Sequence, residues 1–133
     1  MNNYLKQIPY SIAQYIMYAL IGFGLAFQLC VIIGLIPHKY VWGGRLENQE
    51  QMVVFELISM SNLLLLFILI QVHGRTKYTN LKKVATVLLW VFAGIFALNT
   101  LGNLFAISSL ETLLFTPITV VASIMCGRIA LGK

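Results

Sequence analysis

The chain has 133 residues, of which 59% are apolar and only 10% charged, with a formal net charge of +5 and a mean hydropathy of +0.87. A soluble domain is roughly 45–50% apolar and about 25% charged, and one of this length has too little interior to hide the excess. Composition therefore excludes an ordinary water-soluble domain and points to a single domain with lipid as its solvent.

The first ten residues, MNNYLKQIPY, are mostly polar and carry one charge, Lys6. Residues 11–36 then contain no charge, and a stretch of roughly 26 helical residues crosses a hydrocarbon core of about 30 Å with some tilt. It exceeds the roughly 7–15 apolar residues of a secretory leader, so it reads as a retained first helix. Gly34 and Pro37 mark its end. A loop at 37–51 carries Trp42-Gly43-Gly44-Arg45 and two of the four glutamates, Glu47 and Glu50.

A second helix is expected over 52–72, with the wholly apolar run LLLLFILI at its centre. The basic segment HGRTKYTNLKK (73–83) reads as the next loop, and a third helix follows over 84–107. Ser108 and Ser109 form a short turn, with Ser109 as N-cap ahead of Glu111 and the fourth helix over 110–131. Barrel strands would need alternating segments of about 9–11 residues, and these apolar runs are continuous. The expected fold is an all-α membrane protein, a four-transmembrane-helix bundle running up-down-up-down.

Charge sets an orientation. Lys6, Arg75, Lys77, Lys82, Lys83, Arg128 and Lys133, seven of the nine basic residues, fall on one side, leaving Lys39 and Arg45 on the other. The positive-inside rule places both termini and loop 73–83 in the cytoplasm of a cell (plasma or inner) membrane, with loop 37–51 outside. The +5 charge is thereby explained as a topology signal, and no basic-aromatic face suggests nucleic acid as a partner.

Small residues mark close helix contacts in lipid. Thr119, Ser123 and Gly127 form such a stripe on the fourth helix, packing helices within the chain or forming a homo-oligomer seam. Pro117 removes one backbone donor, which predicts a kink and leaves the carbonyl near Leu113 to be satisfied by Thr116 or Thr119.

Depth along the helices gathers Gln28, Glu56, Ser59, Asn62, Asn99, Asn103 and Thr116 in the outer half to middle of the membrane. Asn99 and Asn103 are four apart on one face, while Glu56, Ser59 and Asn62 step by three around the second helix. Polar groups facing lipid are costly, so these faces are expected to point inward, as interhelical hydrogen bonds or as the wall of an outward-opening cavity. Glu56 either pairs with Arg45 or Lys39, or serves a cationic ligand or a proton. Arg45 offers a planar fork to an anion or pairs with a glutamate, and Trp42 belongs to an interfacial belt or forms a lid. The candidate ligand-binding residues are thus Gln28, Trp42, Arg45, Glu56, Asn62, Asn99, Asn103 and Thr116.

In size and helix count the chain resembles the small multidrug transporters, in architecture alone. Those depend on an acidic residue in the first helix, where this chain has only Gln14 and Gln28. Cys30 lies in the outer half of the membrane and Cys126 near the inner end, too far apart to form a dithiol pair. His38 and His73 flank opposite ends without a second ligand at helical spacing, so no metal, cofactor or catalytic group is assigned. Two readings remain. One is a non-enzymatic bundle whose outward pocket binds a small molecule or lipid head group for transport, sensing or an accessory role. The other is a structural or assembly subunit without its own ligand.

Overall fold

A computed structural model of the chain describes residues 1–37, 39, 41 and 47–133. Among them every regular element is helical. A five-residue helix, α1 (Asn2–Lys6), precedes α2 (Tyr10–Ile32), α3 (Gln49–Arg75) and α4 (Thr79–Leu104). The last helix begins as a π-helical turn, Glu111–Phe115, and continues as α5 (Thr116–Ala130). Four segments are long and apolar enough to cross a membrane: Tyr10–Ile32, Gln49–Arg75, Thr79–Leu104 and Glu111–Ala130.

Local chemistry sets each boundary. Pro9 precedes α2 with φ −55°, close to the helical value its ring imposes. At the far end Gly34 takes φ +86°. The Leu35 and Gly34 N–H groups return to the carbonyls of Cys30 and Val31 at 2.9 and 3.1 Å. That paired return is a Schellman stop, and it needs a residue at ease with positive φ. The first span accordingly ends at Ile32, short of the expected residue 36. α3 starts earlier than expected because Asn48 Oδ1 accepts from the Gln51 N–H at 2.8 Å, while Gln51 Oε1 accepts from the Glu47 N–H at 3.1 Å. This side-chain exchange satisfies orphan donors in the manner of a capping box.

The largest departure lies at 73–83. Instead of a loop, α3 continues through Arg75 and α4 restarts at Thr79, leaving a three-residue turn, 76–78. Basic side chains suit a helix C-terminus, so His73 and Arg75 extend α3 rather than end it. The chain is also helical from residue 109 onward, so Ser109 lies inside the first turn rather than capping it.

The helices close on one another through contacts of α2 with α3, α3 with α4, α4 with α5 and α5 with α2. The main core is built at helical spacing from Ala13, Met17 and Ile21 of α2 and Leu66, Leu69 and Ile70 of α3. Leu89 of α4 and Ala122, Cys126 and Ile129 of α5 complete it. A smaller cluster of Val31, Val41 and Met52 ties the loop to α2 and α3 at the other end. Only 22% of the apolar window of each of the first three spans is buried, against 44% for the fourth. The fourth span is therefore the most enclosed. The outer faces of the others are apolar and uncovered, as fits a multi-pass membrane protein in contact with lipid.

The small-residue stripe is used inside the chain. Thr119 Oγ1 lies 2.9 Å from Thr100 Oγ1, and Ser123 Oγ donates to the Ala93 carbonyl at 2.7 Å. Gly127 lies against the ring of Trp90. All three contacts join α5 to α4. The Thr119 hydroxyl also points to the carbonyls of Phe115 and Thr116, at 2.9 and 3.1 Å, rather than to that of Leu113.

Candidate functional site

A cavity of about 430 Å³ opens at the end of the bundle that holds the Val31–Val41–Met52 cluster. Each of the four long helices contributes to its wall. α2 brings Gln28, α3 brings Glu56 and Ser59, α4 brings Asn99 and Asn103, and the last helix brings Glu111 and Thr119. Both glutamates are nearly inaccessible, with 3% exposure for Glu56 and 7% for Glu111, and each has interactions within the chain. Two carboxylates from different helices thus line one open-ended cavity.

Gln28 is the most revealing residue of the wall. Its Nε2 donates to Ser59 Oγ, joining α2 to α3. Its Oε1 is buried without a hydrogen-bond partner. Leaving such an acceptor unsatisfied costs about 1–3 kcal/mol, so this wall presents a fixed acceptor in want of a donor. On the α4 side Asn103 Nδ2 approaches Thr119 Oγ1 at 3.4 Å, and the Asn103 carbonyl accepts from Thr112 Oγ1 at 2.9 Å. Asn99, one turn away on the same face, is the more exposed of the pair.

Aromatic rings frame these polar groups. Phe27 and Phe115 meet edge to face with centroids 4.7 Å apart, bridging α2 and the last helix. Gly24 lets α3 approach, since a Cβ there would lie 2.9 Å from Leu63 Cδ1. Gly102, by contrast, borders open space, with nothing within 4 Å of where its Cβ would be.

Of the residues expected from the sequence, Gln28, Glu56, Asn99 and Asn103 come together here, with Ser59 bonded to Gln28. Asn62 does not join them and is exposed on α3. Each three-residue step falls about 60° short of a full helical turn, so two steps from Glu56 leave Asn62 roughly 120° away. Its expected inward direction is corrected accordingly. Thr116 is also outside the lining, with a buried hydroxyl that has no partner. Trp42 and Arg45 lie outside the described residues.

Glu111 and Thr119 line the cavity although the sequence reading assigned neither to the site. Glu111 reads in sequence as a residue favouring a helix N-terminus. The Thr116 N–H, however, returns to the Glu111 carbonyl five residues back, and this wider turn rotates what precedes it. Pro117 was the available signal, because a missing donor is where a helix changes its hydrogen-bond register. Thr119 was visible only as part of the small-residue stripe.

The cavity wall combines polar and apolar groups. It offers carboxylates, amides and hydroxyls in an apolar frame, the usual make-up of a site that orients a small polar ligand. His73 lies 17 residues along α3 from Glu56, about 25 Å at 1.5 Å per residue. Among the described residues no three His, Cys, Asp or Glu side chains gather to hold a metal ion. Comparison with models of protein families, with curated protein sequences and with solved structures finds no match to this chain.

Proposed function

We propose that the chain is a small polytopic protein of the cell membrane, running up-down-up-down with both termini in the cytoplasm. Its outward-facing polar cavity binds a small molecule or lipid head group in a transport, sensing or accessory role. The observation that carries this reading is the unpartnered, buried Gln28 Oε1 in a wall shared with Glu56, Glu111 and Asn103. Packing alone would call for that oxygen to be satisfied.

The test is ligand-dependent thermal stabilisation of the purified protein, screened with small amines, polyols and phospholipid head groups. Glu56→Gln should keep the fold and lose stabilisation by whichever compound raises the wild-type midpoint. Gly102→Leu is a second arm, because Gly102 lines the cavity and a Cβ there meets nothing within 4 Å, so the larger side chain has room to enter. Undiminished stabilisation of Gly102→Leu would exclude this cavity as the site.

A structural or assembly subunit is the second reading. One observation favours it: Gly22 and Ala26 remain exposed on α2, and nothing lies within 4 Å of a Cβ at Gly22. That small-residue edge leaves room for another helix. Co-purification of a stoichiometric partner lost on Gly22→Leu would support it.

A further inference from the structure

At the other end of the bundle, a recess of about 660 Å³ opens between the start of α4 and the end of α5. Thr79, Lys82, Lys83 and Thr86 of α4 line it, at a spacing that sets all four on one helix face. The opposite side is formed by residues 130–133, including Lys133, and His73 of α3 also borders it. His73 is only 3% exposed, and its Nδ1 is held 3.0 Å from the Tyr10 hydroxyl. That contact fixes the ring in place.

No acidic side chain lines this recess. Along α3 the nearest is Glu56, about 25 Å from His73, and along the last helix it is Glu111, roughly 28 Å from Ala130. Both lengths are well beyond the screening length of about 8 Å at physiological ionic strength. The glutamates therefore do not reach these lysines. Arg128, buried beside the recess, adds charge while its Nε and Nη1 donate to the carbonyls of Ile8 and Gly132. The start of α4 has no side-chain cap, so its first-turn N–H groups add a partial positive charge on the same side.

We propose that this recess binds a phosphate group, held by Lys82, Lys83, Lys133 and the first turn of α4. Lys6 and Lys77 lie outside the recess. Lys82, Lys83 and Lys133 instead share a concave wall with a buried imidazole and two threonines. The same chemistry would hold the phosphodiester of an anionic phospholipid or a soluble phosphate, and basic pockets between helices commonly take such head groups. The proposal is independent of the cavity at the opposite end.

To test it, the full chain in a neutral maltoside micelle is titrated separately with phosphatidylglycerol, phosphatidylcholine and inorganic phosphate, reading the thermal midpoint. A saturable rise is expected with phosphatidylglycerol, and a matching rise with inorganic phosphate would show that the phosphate alone suffices. Lys82→Gln/Lys83→Gln should weaken the apparent affinity roughly 25-fold, at about fivefold per lysine. Lys6→Gln/Lys77→Gln removes the same charge outside the recess and should leave the affinity nearly unchanged. Equal losses in both double variants, an equal response to phosphatidylcholine, or no saturable response to either anion would overturn the site.

Discussion

Gly127 of α5 lies so near Trp90 of α4 that a Cβ there would stand 3.2 Å from the ring's Cζ3. A large side chain must push the indole aside, and overpacking of that kind costs about 1–3 kcal/mol. Gly127→Leu should therefore lower the thermal midpoint clearly, whereas Gly22→Ala, which meets open space, should leave it equal or higher. Matching effects of the two changes would remove the packing explanation. Gln28, Glu56, Asn99 and Asn103 were legible in the sequence because depth along an apolar helix needs only counting. Asn62 was not, because repeated steps of three residues drift off the helix face. Glu111 was hidden for a different reason: its direction depends on a change of hydrogen-bond register that residue periodicity does not carry.

Among the elements, the π-turn at Glu111–Phe115 is the one shaped most by a single residue. Pro117 lies inside a stretch that is helical from residue 109 to residue 130, and proline inside a helix costs about 3 kcal/mol relative to alanine. Pro117→Ala should restore a regular α-helix, raise the thermal midpoint and turn Glu111 by about 100°, away from the cavity wall. Ligand stabilisation through the cavity should weaken in the same variant. A fall in the midpoint would instead mean that neighbouring contacts, not the proline, hold the wide turn. The spans were readable from their continuous apolar runs, but their ends were not. The Asn48–Gln51 exchange adds a turn to α3 before its apolar run, and His73 and Arg75 lengthen it beyond. Apart from Gly74, both extensions consist of polar residues, which a search for apolar runs reads as loop.

For the molecule as a whole, orientation decides which solution each recess meets. The basic end carries the turn 76–78, and the polar cavity lies at the end where Gln49 begins α3. Gln49→Cys should react with an impermeant thiol reagent on intact cells, and Lys77→Cys only after the membrane is opened. The native Cys126 is buried and Cys30 half-buried, which keeps the background low. The reverse labelling pattern would invert the topology and turn the polar cavity toward the cytoplasm.

The bond from Arg128 to the Ile8 carbonyl spans 120 residues, and it bears on the order in which the protein assembles. α3, α4 and the last helix are joined by turns of a few residues, so their pairing needs little loop closure and can form early. The contacts of α1 and α2 with α5 have no such local route. During synthesis they must wait until α5 has emerged, and until then Gln28 and Phe27 stand apart from Glu111 and Phe115. The walls of the polar cavity are therefore completed last, in the same step that fastens the N-terminal segment to the far end of the chain.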